Sequence, residues 1–341
     1  MRNISARVDV IRSGAVFCEL EFTDPPRLDA SAAADIYVSM AGSFRWRSDV
    51  NWLTDELCPV LTVDGADHQL AVLQVATMRD VFTAQGEHYV SLTAYDRALR
   101  LQQTKLEEGL YFGTTKQYTS AVQQLLAGAG VTVAAITQSA ATLGTAHEWE
   151  IGTDYLSIIN ELLQEINYEP IWFDSSGTAI AQPYADPVPA AIDRRYAPGA
   201  FSLLRAGAEA TLDAFSEPNV FIVICSNPDL PAPLTSKAVN NNPLSSLSVL
   251  RRGRRIPTVV RVDNILDQAS LDAYAQRLVN ESMMRSRSVR ISTGLEAAHR
   301  RHETVALTDE SLGGIYQETG WSMTLAPGQA MTHELKQMIL V

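Results

Sequence analysis

The sequence predicts an α+β protein in three parts: a β-rich first part, an α/β module, and a second β-rich part that carries one long helix. Three observations lead there. Residues 1–94 alternate apolar and polar side chains, with turn signals at roughly the 8–12-residue spacing of a small barrel or sandwich. The periodicity then changes within Val90–Glu108: a strand with Val90, Leu92 and Ala94 inward runs through Asp96 into an amphipathic stretch carrying Ala98, Leu99, Leu101 and Leu106. From about 193 the alternation returns, interrupted by a helical pattern over 268–285.

In the first part (residues 1–94), Ile4, Ala6, Val8 and Val10 form one strand, Arg12-Ser-Gly14 turns the chain, and Val16, Cys18, Leu20 and Phe22 form the return strand. Asp24-Pro25-Pro26 is expected to break that strand, because proline donates nothing to a ladder. Asp35–Met40 is a further short strand. Val60–Val63 and His68–Val75 flank the turn Asp64-Gly65, and His88–Ala94 closes the set. The stretch Ser43–Pro59 does not read as plain sheet. Phe44, Trp46 and Trp52 stand among Arg45 and Arg47, a mixture that serves either a loop folded on its own domain or a protein–protein contact, where Trp and Arg are favoured anchors.

The second part (residues 95–192) opens with Asp96 as an acceptor for the first N–H groups of a helix. A second helix runs from a Thr119 or Ser120 cap to Gly128 or Gly130, followed by a strand at Val131–Val133. Thr153 is the expected cap of a third helix, with Leu156, Ile159, Leu163 and Ile166 along one face and Asn167 as its stop. Tyr168–Phe173, the turn Asp174–Gly177 and Thr178–Ala181 make a hairpin. In the third part (residues 193–341), Val220–Ile224 is a buried strand, 227–243 a loop rich in proline, serine and asparagine, and 268–285 a helix with Leu271, Tyr274, Ala275, Leu278 and Ser282 on one face. Val289–Thr293, His302–Leu307, Gly320–Leu325 and Met331–Leu340 alternate as strands. No internal repeat is evident.

Hydrophobic residues make up 46% of the 341 and charged residues 19%, which is ordinary for a globular chain able to build sizeable cores. No apolar run reaches the roughly 18 residues of a membrane helix. The N-terminus lacks a secretory apolar core, so mature cytoplasmic sequence is the expectation. Cys18, Cys58 and Cys225 are odd in number and far apart, which excludes a disulfide framework or a CxxC zinc site as the natural reading. The net charge of −12 argues against non-specific nucleic-acid binding. The exception is local. Arg251, Arg252, Arg254 and Arg255 surround Gly253, either as a solvated turn or as a positive patch facing an acidic partner or passing nucleic acid.

Catalytic signatures are missing. There is no phosphate-cradling glycine loop, no GxGxxG after a strand and no GxSxG elbow. Only His299 and His302 are close enough in sequence to share a metal, and they lie between arginines that repel a cation. Cys58 has no nearby histidine to activate it. No catalytic residue, cofactor or metal ligand is assigned, and no enzyme is expected.

Several phrases nevertheless occur in a recognisable order: Tyr95-Asp96 with Leu99 and Leu101; Trp149 to Leu163, then Ile166-Asn-Tyr168, Asp174–Gly177 and Pro183-Tyr184; Asn240–Ser245 ahead of Arg251-Arg-Gly253; and Gly314–Trp321 leading to Leu325–Gly328 and Met331–His333. In this order the chain resembles the hub proteins of bacteriophage tail baseplates and tail tips, found also in contractile injection machines. The resemblance covers residues from about 90 to the C-terminus.

The resemblance implies two antiparallel β-barrel-like domains (1–94 and 193–341, the latter with helix 268–285) and an α/β insertion module between them (95–192). It implies a homotrimer forming a pseudo-sixfold ring under the tail tube, located in the virion tail tip or baseplate and assembled in the host cytoplasm. Partners would be the tail tube or distal tail protein and a central spike or fibre, with DNA passing through the ring but not specifically bound and no stable membrane insertion. Relatives that carry a cell-wall hydrolase do so beyond this point, so such activity is expected in another protein. Phe44, Trp46, Trp52, Arg251, Arg252, Arg254 and Arg255 are the candidate interface residues. A carbohydrate-binding or adhesion module is the alternative, resting on the β content and on Trp46, Trp52, Trp149, Trp172 and Trp321.

Overall fold

The computed structural model of the chain describes residues 2–185, 191–199, 202–212, 217–226, 232–262, 265, 267–285, 287–297 and 299–338. In chain order the elements are β1 (Ile4–Arg12), β2 (Ala15–Leu20), β3 (Phe22–Ser31), β4 (Val38–Arg45), β5 (Glu56–Val63), β6 (Ala66–Gln69), β7 (Leu73–Phe82) and β8 (His88–Asp96). The middle section contains α1 (Ala98–Gln103), β9 (Leu110–Phe112), α2 (Tyr118–Gly128), β10 (Ala134–Ile136), β11 (His147–Trp149), α3 (Tyr155–Glu165), β12 (Trp172–Phe173) and β13 (Ala179–Ala181). The last section contains β14 (Arg194–Tyr196), β15 (Glu209–Thr211), β16 (Val220–Cys225), β17 (Leu234–Val239), α4 (Val249–Arg252), β18 (Pro257–Val262), α5 (Gln268–Arg285), β19 (Ser288–Gly294), β20 (Thr304–Leu307), β21 (Gly314–Thr324) and β22 (Ala330–Gln337).

The protein is mostly β with few helices, and the strands of the two β-rich parts share one sheet. Its path is β15-β19-β22-β21-β3-β4-β8-β7-β5-β1-β2, with β20 and β6 as side branches. The joint is β21. One edge of it pairs with β22; the other is shared by β20, through Gly314–Gln317, and β3, through Gly320–Thr324. The closed barrels implied by the resemblance do not form as ladders among the described residues, since the path ends on β15 and β2. The first core is correspondingly mixed. Val8, Val10, Leu28, Phe44, Leu61 and Leu92 pack with Trp321, Met323, Leu325 and Met331 from the far end of the chain.

Both tight hairpins follow from their turn residues. Ser13-Gly14 and Asp64-Gly65 have positive φ at both positions (51° and 80°; 51° and 87°), the backbone sense that matches strand twist in a two-residue loop. Asp24-Pro25-Pro26, expected to end a strand, lies inside β3. The ladder with β4 slips between Phe22 and Asp24 and again between Asp24 and Arg27, so Pro25 and Pro26 stand at bulges where no N–H is required.

The middle section has its own core, with Leu101, Tyr118, Val122, Leu126, Ile158, Ile159, Leu162 and Phe173 inside. Its helix boundaries differ from expectation in three places. Thr119 is buried within α2 rather than capping it, and its hydroxyl turns to Gln138. Val131, expected in a strand, closes α2 instead. Gly130 takes φ +74° and the Val131 N–H reaches the Leu126 carbonyl at 2.8 Å, so the strand starts only at Ala134. The cap of α3 is Asp154, whose Oδ1 accepts the Ser157 N–H at 2.9 Å, while the Thr153 hydroxyl donates to the Glu150 carbonyl.

In the last section, the stretch expected as a loop over 227–243 contains β17, which pairs antiparallel with β16; its alternating Leu234–Val239 is masked in sequence by proline and asparagine on both sides. β16 also pairs with β18, in parallel, and α5 covers this three-stranded sheet through Leu271, Ala275 and Val279. Helix 268–285 therefore belongs to a small α/β layer, not to the interior of the large sheet.

Candidate assembly surfaces and a buried ionic cluster

The aromatic stretch that begins within the end of β4 splits by burial, and two of its three candidate interface aromatics lie inside. Phe44 is fully buried and Trp52 nearly so, both in the first core. Trp46 is 38% exposed and lies flat on His88, ring centres 4.8 Å apart. Phe82, at the tip of β7, stacks on His88 at 4.2 Å and is 73% exposed. Asp80 Oδ1 anchors the sandwiched imidazole at 2.7 Å from Nε2. Arg45 pairs with Glu21 at 3.4 Å and Arg47 with Asp49 at 2.7 Å, so the charges around Trp46 are largely matched. Nearby, β2 ends the sheet path, its outer edge unpaired among the described residues and Val16 and Phe17 exposed. Exposed aromatics beside an open strand edge are a surface suited to pairing with another chain.

The arginine cluster sits on a different unit. Ser248 caps α4, its hydroxyl accepting the Arg251 N–H, and Gly253 ends it in the left-handed conformation (φ 64°). The Arg251 Nε donates to the Pro243 carbonyl at 2.8 Å and the Arg252 Nη1 to the Glu217 carbonyl at 2.7 Å, so Arg252 is half-buried and structural. Arg251, Arg254 and Arg255 are exposed, next to the exposed side chains of Leu244 and Leu250. Basic groups around apolar ones make this patch complementary to an acidic, partly apolar surface.

A third site lay outside sequence reasoning. His299, Glu318 and His333 meet where β21 and β22 run side by side, all almost completely buried. Glu318 accepts from His299 Nδ1 through Oε2 (2.9 Å) and from His333 Nδ1 through Oε1 (2.5 Å). Thr293 Oγ1 holds His333 Nε2 at 2.8 Å. Arg194 bridges Glu303 (2.5 Å) and Glu296 (2.7 Å), and Glu303 lies 3.5 Å from His299 Nδ1. Burial opposes charge on every group here, yet the pairings prevail. The His299 pKa is raised by Glu303 and Glu318, Glu318 is held below its usual range by the two histidines, and Glu303 is brought down to about 2 by His299 and Arg194. His302, the expected partner of His299, is not among these groups. It sits at φ 60°, pushed down to about 4 by burial and by Arg301. The signal available in sequence was the inward series Tyr316, Glu318, Gly320 and Met331, His333, Leu335, where one polar residue interrupts each apolar face.

The Cys58 thiol is driven up to about 12 by burial and does not supply a thiolate. In the middle section, Glu165 accepts from the Tyr118 hydroxyl at 2.7 Å and lies 3.3 Å from His147, while the Trp149 indole donates to Glu161.

No family model matches the sequence, and no curated protein matches it either. Solved structures do match along the whole chain. A tail protein from Neisseria meningitidis MC58 superposes with a TM-score of 0.71 over 98% of this chain and 97% of its own, at 13% identity. The 43 kDa tail protein of prophage MuSo2 from Shewanella oneidensis gives 0.67 over 97% and 98%, at 9% identity. Prophage tail protein gp18 from Listeria monocytogenes EGD-e gives 0.59 over 97% and 94%, at 11% identity.

Proposed function

The chain has the fold of phage tail proteins, and from that premise we propose that it is a structural hub protein of a tail tip or baseplate, forming a ring that joins the tail tube to a central spike or fibre. The observation that carries the reading is full-length correspondence: nearly every residue of this chain finds a counterpart in a tail protein of the same extent. A ring closes through heterologous contacts, in which one face of a subunit meets a different face of the next. Two dissimilar surfaces supply this. One is aromatic with an open strand edge (Phe17, Trp46, Phe82), bordered by Glu21, Asp80 and Glu87; the other is basic and apolar (Leu250, Arg251, Arg254, Arg255). A homotrimer is the proposed ring, and its partners are tail-tube or distal tail proteins on one side and a spike or fibre on the other. The acidic balance suits a surface that DNA passes without being retained.

The adhesion alternative loses its footing at the tryptophans. Trp52, Trp149 and Trp321 are buried and Trp172 is half-buried, so they form no exposed sugar-stacking platform.

The test is the mass and symmetry of the purified protein by light scattering and electron microscopy. A trimeric ring with a central opening is expected, and Arg254→Glu with Arg255→Glu is expected to abolish it while leaving the melting temperature unchanged. A compact monomer at every concentration, alone and with tail-tube protein, would overturn the reading.

A further inference from the structure

We propose that His299, Glu318 and His333 form a binding site for one divalent transition-metal ion of the zinc type, which clamps the seam between β21 and β22. Donor chemistry comes first. Two imidazole nitrogens and a carboxylate are the ligand types that such ions prefer, and here one atom from each lies within 4.8 Å of the other two. In a tetrahedral site with bonds of about 2.1 Å the ligand atoms stand about 3.4 Å apart, so the two Glu318–imidazole contacts open by less than about 1 Å and the widest pair closes by at most about 1.4 Å. The Glu303 carboxylate lies 3.5 Å from His299 Nδ1, but the oxygen that faces it is held by Arg194 Nε, so Glu303 borders the site and water completes the coordination.

Charge is the second argument. Glu296 and Glu303 share Arg194 in this buried cluster, Arg300 (70% exposed at its side chain) reaches Glu303 at 3.6 Å as well as Asp193 at 2.8 Å, and Glu318 is held by the two imidazoles. A divalent cation that takes the two Nδ1 positions replaces, charge for charge, the two protons that now lie between the imidazoles and Glu318, and those protons pass to solvent.

The outer shell is also built. Thr293 Oγ1 fixes the far nitrogen of His333, which orients that ring, and Arg194 fixes Glu303. Access comes from the other side of His299. That residue lines a cleft of about 330 Å³ with Tyr37, Trp172 and Trp321, and its Nε2 is buried with no hydrogen-bond partner.

The experiment uses the full chain, stripped with a chelator and titrated with Co²⁺, whose visible d–d bands report coordination directly. One equivalent is expected to bind with bands of low-coordinate nitrogen and oxygen ligation. Zn²⁺ is expected to displace it, and metal to raise the melting temperature reversibly. Thr293→Val, which removes only the outer-shell hydroxyl, is expected to weaken binding about tenfold. His333→Gln is expected to abolish the bands, with circular dichroism reporting whether it folds. A stripped native protein that binds no Co²⁺, or binding undiminished in Thr293→Val and in folded His333→Gln, overturns the proposal. The native titration decides it even if the variants do not fold.

Discussion

At Asp96 two N–H groups from different elements meet one carboxyl group: Val38 donates to Oδ2 and Ala98 to Oδ1, both at 2.8 Å. The side chain thus holds β4 against the start of α1 from the end of β8. Burial pushes its pKa up to about 6 despite those bonds and the field of Arg301. An unfolded aspartate titrates near 4, so between about pH 4 and 6 the unfolded chain has lost a proton that the folded chain keeps. Stability contributed by this group is complete below about pH 4, falls through that window, and is lost above about pH 6, an effect of about 2–3 kcal/mol. Asp96→Asn removes the titration but can satisfy only one of the two N–H groups. Its cost in urea unfolding should therefore be about 2–3 kcal/mol larger at pH 4 than at pH 8. A cost independent of pH would show that the carboxyl is not shifted.

At the scale of elements, the bulged β3 illustrates how context overrides a local rule. Pro26 can sit in this strand because the facing position on β4 is Gly42: a Cβ there would stand 2.9 Å from Pro26 Cβ and 3.0 Å from the buried Phe44 ring. Gly42→Ala should accordingly cost about 1–3 kcal/mol, the usual range for overpacking, and Pro26→Gly, which removes the facing Cβ, should recover part of that loss in a double-mutant cycle. Additive effects of the two substitutions would break the link. Elements with strong local signals were legible without this context. The Asp64-Gly65 hairpin and the helix over 268–285 appear as expected, because two positive φ values and eighteen residues of helical pattern need no partner to declare themselves. The Pro-Pro bulge depended on neighbours that one sequence does not place, the strand Leu234–Val239 lies between prolines and asparagines that read as loop, and the cap falls to Asp154 beside the expected Thr153 because its carboxylate accepts the Ser157 N–H. The buried cluster was not legible as a cluster: Glu318 and His333 meet through the pairing of β21 with β22, Arg194 arrives on β14, and Glu296 and His299 come from the segment between β19 and β20.

For the whole molecule, the decisive joint is the pairing of β21 with β3, which turns two β-rich sections into one sheet and brings residues of both into the first core, while Tyr196, Val289, Val305, Tyr316 and Leu335 keep a separate one. Sequence reading placed a strand at Gly320–Leu325 but none over Arg27–Ser31, having ended the strand at Asp24-Pro25-Pro26, and no local pattern says which edge receives a strand from the far end of the chain. Gly320 marks the place. It opposes Ser31 just after the bulge at Glu318, and a Cβ added there would lie 2.7 Å from the Ala30 carbonyl oxygen, a backbone atom that cannot swing aside. Gly320→Ala should force β3 and β21 apart locally. The clash also lies next to Trp321, whose buried ring belongs to the shared core, so the damage should spread beyond one hydrogen bond to about 2–4 kcal/mol. The middle section, with its separate core, should be spared. Hydrogen exchange by residue distinguishes the outcomes: faster exchange at Ala30, Trp321 and their ladder neighbours, with α2 and α3 still protected, is expected. Uniform acceleration throughout would mean that the molecule unfolds as a single unit. No acceleration at the seam would mean that β3 and β21 are not bound as closely as their register implies.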